Sequence, residues 1–178
     1  MILEDALILL VGGIVDTVLG IPDFSIEAKN DGPRPIGAYA SIDFVSDHSV
    51  GWEERTLVDN TGDDDITETI EGYRELTVSL DFFRDGAMDN ARKVRTAFLR
   101  QTTLDTLSAS GTGFIQHSDV RDLSEVLESA WEKRAQFDVT LSAIGADVDI
   151  IKSILSVTIT GGFQTSGKSI PVSIQVDL

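Results

Sequence analysis

One stretch of the chain, residues 66–100, constrains the fold more than any other because its hydrophobic period changes part-way along. The first half alternates apolar and polar residues, which is typical of a strand with one buried face. Its apolar residues are Leu76, Val78, Leu80 and Phe82. After a turn at Asp85-Gly86, spacings of three and four predict a helix over residues 87–100 that lies back on the strand. The apolar residues of this helix are Ala87, Ala91, Val94 and Phe98.

A second strand with one apolar face is predicted at residues 130–143, with Lys133 as the only break in that face. Its inward residues are Trp131, Ala135, Phe137, Val139, Leu141 and Ala143. We expect the helix to cover both strands, because its apolar face needs a partner. The predicted core comprises Leu80, Phe82, Phe98, Phe137, Val139 and Leu141.

The N-terminal part of the chain predicts a helix followed by a β-hairpin. The apolar stretch at residues 2–19 has the spacing of a helix that is buried on two sides. Strands follow at residues 36–44 and 52–58. Turn residues at 60–65 lead into the long strand, so that residues 52–58 and 66–74 form a hairpin with an acidic tip in solvent.

Less regular sequence separates the predicted helix from the strand at residues 130–143. Thr103 is placed to cap a short helical turn. A short strand is expected at residues 112–120, and a loop or single turn at residues 121–129.

The C-terminal part predicts an appended β-hairpin. Gly145-Ala146-Asp147 indicates a boundary before two strands at residues 154–160 and 170–178. We therefore predict a domain over residues 1–145 and a β-hairpin extension over residues 146–178. The predicted fold class is α+β: a mainly antiparallel sheet covered by two helices, with a protruding β-hairpin and a C-terminal β extension.

Composition limits the classes of function. The chain of 178 residues suffices for one domain, or for one domain with an appendage. Its formal net charge of −16 disfavours nucleic-acid binding, because phosphate contacts need clustered Lys and Arg. The chain has no cysteine, which excludes disulfides and thiolate metal sites.

The N-terminal apolar stretch is not predicted to span a membrane. Glu4, Asp5 and Asp16 interrupt it, and no Lys or Arg flanks it. The missing basic region also argues against a signal peptide. We therefore expect a protein that is made inside the cell and does not enter a membrane.

No residue pattern indicates a catalytic, cofactor-binding or metal site. His48 and His117 each stand beside Ser and Asp, but neighbours on a strand point to opposite faces and no G-x-S-x-G elbow is present. The acidic run at residues 59–65 lacks the Gly at position six that an EF-hand loop needs. An acidic hydrolase or a calcium-binding module remains the alternative from a different class of function.

One basic cluster comprises Arg92, Lys93, Arg95 and Arg100. Positive charge near the C-terminus of a helix interacts favourably with the helix dipole, which is a sufficient structural reason for the cluster. The same charges also suit contact with an acidic face of a neighbouring subunit. Arg92 and Arg95 are therefore candidate subunit-interface residues.

Three segments of the chain match short family motifs in their order and spacing. The first contains Gly72-Tyr73-Arg74-Glu75, similar to a G-x-R-E strand. The second is Arg121-Asp122-Leu123, similar to R-D-L. The third, Trp131-Glu132-Lys133-Arg134-Ala135 and the residues up to Val139, is similar to W-E-x-R-A-x-x-D-V. Through these segments the chain resembles the phage neck terminator, or tail-completion, family. The resemblance covers residues 1–143, and nothing is carried over to residues 146–178.

The resemblance implies a structural virion protein without enzymatic activity or cofactor. Tail terminators are small α+β proteins that form hexameric rings, cap the tail tube, stop its elongation and join it to the head connector. The implied partners are further copies of the chain, tail tube protein and a head connector or adaptor protein, with DNA passing through the lumen without specific binding. The implied location is the virion neck, at the head-proximal end of the tail, after synthesis in the host cytoplasm. The runner-up is a head-to-tail adaptor or stopper.

Two further residues of the third segment complete the candidate interface. On a strand, Glu132 and Arg134 share the face opposite Trp131. We expect them to pair with charged groups on adjacent strands, and Arg74 and Glu75 are the expected partners because they belong to the first segment.

Overall fold

The computed structural model describes residues 4–29, 32–59, 65–127, 130–152, 156–165 and 168–177. The helices within these residues are α1 (Glu4–Leu19), α2 (Ala87–Ala97) and α3 (Gln101–Ala109). The strands are β1 (Ser25–Glu27), β2 (Tyr39–Asp59), β3 (Asp65–Phe83), β4 (Thr112–His117), β5 (Arg121–Asp122), β6 (Glu125–Leu127), β7 (Ala130–Glu132), β8 (Arg134–Lys152), β9 (Ser156–Thr165) and β10 (Lys168–Asp177). The chain divides into two compact units. Unit 1 comprises Met1–Glu53 and Glu71–Gly145, and unit 2 comprises Glu54–Ile70 and Ala146–Leu178.

The main sheet has the strand order β1-β2-β3-β8-β4, and β5 also pairs with β8. Strands β4 and β8 are antiparallel, β2 and β3 form a long hairpin, and the short β1 runs parallel to β2. Two further antiparallel pairs, β6–β7 and β9–β10, lie outside this sheet. The predicted α+β class with a mainly antiparallel sheet is confirmed.

The core of unit 1 lies between one face of the sheet and the helices. The predicted core is confirmed, because all of its members are fully buried in one cluster: Leu80, Phe82, Phe98, Phe137, Val139 and Leu141. The rings of Phe82 and Phe137 stack with centroids 6.0 Å apart. Helix α2 turns its small residues Ala87 and Ala91 to the sheet, which allows close packing of the helix on the two strands.

Helix α1 confirms the predicted N-terminal helix over its described residues, but it is buried on one wide face and not on two sides. Leu7, Val11 and Val15 are fully buried, whereas Leu9 is 75% exposed. Gly12 has a packing role, because a Cβ atom there would lie 2.8 Å from Ser25 Oγ on β1. Glycine lowers the helix propensity at this position, but it lets β1 approach the helix closely.

Two strands are longer than the sequence predicted. Strand β2 runs unbroken through the gap expected between residues 36–44 and 52–58, and Gly51 adopts a positive φ of 82° within it. Strand β8 likewise runs through Gly145-Ala146-Asp147 to Lys152, so it does not end at residue 143 as predicted. The division between the two units nevertheless falls after Gly145.

The region between α2 and β8 is also more ordered than predicted. Helix α3 begins after Arg100, and Thr103 is buried within the helix, so the predicted cap at Thr103 is wrong. The strand expected at residues 112–120 ends at His117, and the expected loop at residues 121–129 contains β5 and β6.

The inward position predicted for Trp131 is wrong, since its side chain is 71% exposed. The alternation rule holds only while a strand stays in one sheet, and β7 instead pairs with β6. The change occurs at Lys133, which interrupts the strand and whose carbonyl oxygen accepts the backbone N–H of Arg84 at 2.7 Å.

Unit 2 contains the ends of β2, β3 and β8 together with the β9–β10 hairpin. The hairpin pairs in continuous register from Ser156↔Asp177 to Thr165↔Lys168. Ion pairs within this unit join Arg55 to Glu68 and Lys152 to Asp65. The predicted acidic tip of the β2–β3 hairpin falls at residues 60–64, outside the described residues.

Candidate interaction surfaces

The face of the sheet opposite the helices carries an aromatic pair. Side chains alternate along β2 and β3, so Tyr39 and Phe83 point away from the helical layer that covers Ile42 and Phe82. Their rings stack with centroids 4.7 Å apart and an interplanar angle of 11°, and both side chains are buried. This face of the sheet is therefore also buried at the aromatic pair, and another part of the chain must cover it.

A charged pair lies beside these rings. Arg134 Nε donates to Oδ1 of the buried Asp81 at 3.1 Å, and the guanidinium lies 5.2 Å from the centre of the Phe83 ring. A buried carboxylate needs such a partner, because an unpaired buried charge is costly. The arginine also covers the aromatic surface with its planar group.

The loop at residues 32–38 covers the aromatic pair and is held by two arginines. Arg34 ion-pairs with Glu132 at 3.6 Å and lies 6.0 Å from the centre of the Phe83 ring. Arg84 donates to the Gly37 carbonyl oxygen at 3.1 Å and lies 5.9 Å from the centre of the Tyr39 ring. Arg84 has a left-handed backbone with φ of 68°, a conformation that costs a non-glycine residue about 1–2 kcal/mol.

The loop, the sheet and the β6–β7 hairpin together border a cleft of about 470 Å³. Its walls carry charges of both signs: Glu27, Asp43, Asp81, Glu125, Glu132, Arg34 and Arg134. Near its rim, Lys29 Nζ lies 2.9 Å from Asp43 Oδ1, and this hydrogen-bonded pairing raises the pKa of Lys29. Most charges of the cleft are therefore matched within the chain, which fixes its walls.

The structure brings together only two of the four predicted interface residues. Glu132 and Arg134 both border the cleft, but their expected partners Arg74 and Glu75 are wrong, because Glu132 pairs with Arg34 and Arg134 pairs with Asp81. Arg92 and Arg95 lie on α2, in the layer on the opposite face of the sheet.

Arg92 and Arg95, the two candidate residues on α2, form different ion pairs. The exposed Arg92 lies 3.8 Å from Asp89 one turn earlier, and Arg95 lies 3.6 Å from Asp119. Exposed pairs of this kind stabilise a fold by less than about 1 kcal/mol. Their role in a subunit contact stays a prediction.

Arg74 occupies a slot that sequence reasoning did not foresee. Its guanidinium pairs with Asp47 at 3.0 Å and Glu53 at 3.6 Å, and its Nε is buried without a hydrogen-bond partner among the described residues. A Cβ atom at Gly145 would collide with the Arg74 side chain, and one at Gly72 would lie 2.7 Å from Glu53 Cγ. Gly72 and Gly145 were the sequence signal for this slot, because a glycine inside a strand often marks the close approach of another group.

The β6–β7 hairpin has two different faces. In its register Glu125 lies opposite Glu132 and Val126 lies opposite Trp131. The glutamates border the cleft, whereas Val126 and Trp131 form an exposed apolar face. We call this pair, Val126 and Trp131, the hairpin face.

Short polar contacts fix both ends of this hairpin. Ser124 donates to Asp122 Oδ1 from its backbone N–H and its hydroxyl, and these bonds lower the pKa of Asp122. Lys133 Nζ donates to Asp85 Oδ1 at 2.8 Å, which raises the pKa of Lys133 and lowers that of Asp85. The orientation of the hairpin face is therefore determined by polar contacts on both sides of it.

A second apolar surface lies in the helical layer. Helices α1 and α3 border a groove of about 480 Å³. Its apolar floor comes from α1 and its polar rim mostly from α3: Leu9, Leu10, Gly13, Ile14, Thr17, Val18, Arg100, Thr102, Thr103 and Thr106. We call this surface the α1–α3 groove.

A family model described as phage neck terminator protein matches residues 2–166 of this sequence. The chain belongs to the phage neck terminator family. The neck terminator match runs past Ala143 into β9, so the extent expected for the resemblance, residues 1–143, was too short. A comparison with curated proteins gives no match.

Membership of the neck terminator family makes the chain a structural component of the phage neck, in a class of proteins that associate with one another and with other tail and head proteins. Over the described residues, no helix is long and apolar enough to cross a membrane. In the same part of the chain, no three histidine, aspartate or glutamate side chains are grouped so as to hold a metal ion.

Proposed function

We propose that this neck terminator forms a ring, hexameric by analogy with tail terminators, that caps the head-proximal end of the tail tube, stops its elongation and joins it to the head connector. The family match over residues 2–166 is the observation that carries the proposal. In this proposal the protein is made in the host cytoplasm, acts without catalysis or cofactor, and uses residues 1–145 as its main domain with residues 146–178 appended.

The surface chemistry of the chain supports this function. Several large apolar side chains are exposed, including Trp52 and Trp131, and tryptophan is enriched in surfaces that contact other proteins. The net charge of −16 per chain would let packaged DNA pass through a ring without adhering to its wall.

The test is to add the purified protein to growing tail tubes and to image them by negative-stain electron microscopy. We expect a ring at one end of each tube and arrest of growth. Tubes that elongate normally and carry no ring would refute the proposal. Rings bound to the head connector with bare tube ends would instead favour the head-to-tail adaptor or stopper.

The predicted role of α2 in subunit contacts has its own test. The double variant Arg92→Glu, Arg95→Glu should reduce capping, because it reverses two charges on the exposed side of the helix. Lys93→Glu, on the same helix, is the control for charge reversal alone. Capping that persists in the double variant would remove this contact and leave the function standing.

A further inference from the structure

The outer edge of strand β2 has no strand partner over most of its length. Strand β3 lies on its inner side, and β1 pairs with its outer side only from Ala40 to Ile42. From Asp43 to Asp59, no strand among the described residues pairs with this outer edge. Every side chain from Val45 to Asp59 is exposed. A row of free backbone N–H and C=O groups of this kind is a template onto which a strand of another molecule can add.

Strand β2 is not regular in the middle of this edge. The hydroxyl of Ser49 donates to Glu53 Oε1 at 3.0 Å. Residues four apart on a regular strand are separated by about 13 Å, which is too far for these two side chains to meet. Gly51 lies between them with a positive φ of 82°, a conformation that other residues rarely adopt. The backbone is therefore shortened at Gly51 in the manner of a β-bulge, and bulges turn an edge away from an incoming strand.

An arginine on the neighbouring strand joins the two sides of this irregularity. Arg74 on β3 lies 3.0 Å from Asp47, which precedes Gly51, and 3.6 Å from Glu53, which follows it. We call Asp47, Glu53 and Arg74 the clamp. Without the guanidinium the two carboxylates would repel each other. The clamp therefore stabilises the shortened conformation of β2.

Two glycines make room for the clamp. A Cβ atom at Gly72 on β3 would lie 2.7 Å from Glu53 Cγ, and one at Gly145 on β8 would collide with the Arg74 side chain. The buried Nε of Arg74 nevertheless has no hydrogen-bond partner among the described residues. An unpaired buried N–H is costly, so this position does not give Arg74 the best hydrogen bonding of its own side chain. That cost favours a role for Arg74 other than stability alone.

We propose that the clamp closes the outer edge of β2 to strand addition by a second copy of this chain. A second copy presents the same free edge, so two such edges can pair about a two-fold axis. The shortened backbone at Gly51 places the residues before it and after it out of register, and a straight strand cannot pair with both. Release of the clamp would let β2 straighten into one long edge.

This device is independent of the proposed ring. All residues of the clamp, and the two glycines beside it, belong to unit 1. The device acts in the free protein and prevents pairing between edges, whereas a ring is built through other surfaces. The proposal therefore stands or fails without reference to tail tubes, and its experiments use the purified chain alone.

Removal of the clamp charge is the direct test. Arg74→Gln should raise the association constant for dimers at least about tenfold over that of the wild type, because a charge-assisted contact no longer holds the closed edge. Sedimentation equilibrium measures this constant. Arg55→Gln is the matched control, since Arg55 lies on the same edge and pairs with Glu68 outside the clamp. Equal increases in both variants would assign the effect to net charge and overturn the proposal.

A second variant releases the clamp without changing a charge. Gly145→Ala displaces the Arg74 side chain from β8 and should also increase dimerisation. Gly13→Ala adds the same methyl group in open space and should leave dimerisation unchanged. Wild-type association in both Gly145→Ala and a folded Arg74→Gln would refute the proposal. If Arg74→Gln does not fold, Glu53→Gln removes only the longer of the two ion pairs and takes its place, with a smaller increase expected.

Hydrogen exchange separates edge pairing from simple loss of stability. In Arg74→Gln, amides of residues 43–59 should exchange more slowly as the protein concentration rises, because pairing protects an edge. A merely structural loss would make these amides exchange faster at every concentration. The amides of β4, Thr112–His117, serve as the internal reference. Dimers that protect β4 and leave residues 43–59 unprotected would overturn the proposal.

Discussion

The two ends of strand β3 differ in burial. From Val78 to Phe83, in unit 1, every side chain is buried, because helices cover one face and the loop at residues 32–38 covers the other. From Asp65 to Ile70, in unit 2, none is. The alternation of a strand therefore defines its two faces, but whether a face is covered depends on other parts of the chain or on a partner.

Strand β8 shows the same contrast. Phe137, Val139 and Leu141 are fully buried, whereas Val148 and Ile150 are exposed. Throughout unit 2, no side chain whose burial is described is buried. The comparison leads to substitutions that should act differently in the two units.

The largest effect is expected for Phe137→Ala, which should lower the free energy of unfolding by about 3–5 kcal/mol because it leaves a cavity in a fully buried site. Ile150→Ala, on the same strand in unit 2, should change it by less than about 0.5 kcal/mol. Chemical denaturation of both variants measures the difference. Equal losses of unfolding free energy in the two variants would show that the difference in burial does not determine how much each side chain stabilises the isolated chain.

Asp81→Ala should cost about 1.5–3 kcal/mol, because it removes a charge-assisted hydrogen bond and leaves Arg134 unpaired beside the aromatic rings. Arg92→Gln removes only an exposed pair one helical turn apart and should cost less than about 0.5 kcal/mol. Thermal melts separate the two cases. A loss in Asp81→Ala no larger than that in Arg92→Gln would mean that solvent reaches the cleft freely.

Gly145→Ala tests the last position of unit 1 on β8. The new methyl group would displace the Arg74 side chain, and the free energy of unfolding should fall by about 1–2 kcal/mol. Gly13→Ala, in open space on α1, should instead raise it by about 0.5–1 kcal/mol. Denaturation midpoints that move in the same direction for both variants would contradict the slot described for Arg74.

The smallest effect concerns the Lys133–Asp85 pair, whose members are both exposed. The lowered pKa of Asp85 means that its contribution is present above the ordinary value of 3.8 and is lost as the pH falls through the lower folded value. The raised pKa of Lys133 means that its contribution is present below 10.5 and is lost as the pH rises through the higher folded value.

The difference in melting temperature between the wild type and Asp85→Asn should therefore be visible near about pH 7 and vanish near about pH 2. Asp105→Asn, at an exposed position on α3, controls for the loss of one negative charge. A difference that persists at the acidic pH would assign the effect to something other than this pair.

The sequence predicted the elements that repeat a period and missed those that depend on distant partners. The strand with Leu80 and the helix with Val94 were found from spacing alone, since one face of each is continuously buried. The cleft was not found, because Arg34 and Glu132, or Arg84 and Tyr39, meet only in the folded chain. The charged residues around the buried Tyr39 and Phe83 rings follow no sequence period from which these contacts could be predicted.

Trp131 and Gly51 show two limits of pattern reasoning. The parity of Trp131 agrees with that of Phe137, but Lys133 lies between them and the chain changes sheets there. The gap predicted between residues 44 and 52 contains Gly51, which lies inside β2. Both errors arise because a local rule was extended across a residue at which the backbone geometry changes.

The ion pair between Arg34 and Glu132 has a consequence for the order in which the molecule is completed. Ribosomes add roughly 5–20 residues per second, so Arg34 is made several seconds before Glu132. During that interval the loop at residues 32–38 has no anchor on the hairpin. The cleft is therefore completed only after Glu132 has been made, and a nascent chain that stops short of this residue lacks the ion pair that holds the loop over the aromatic rings.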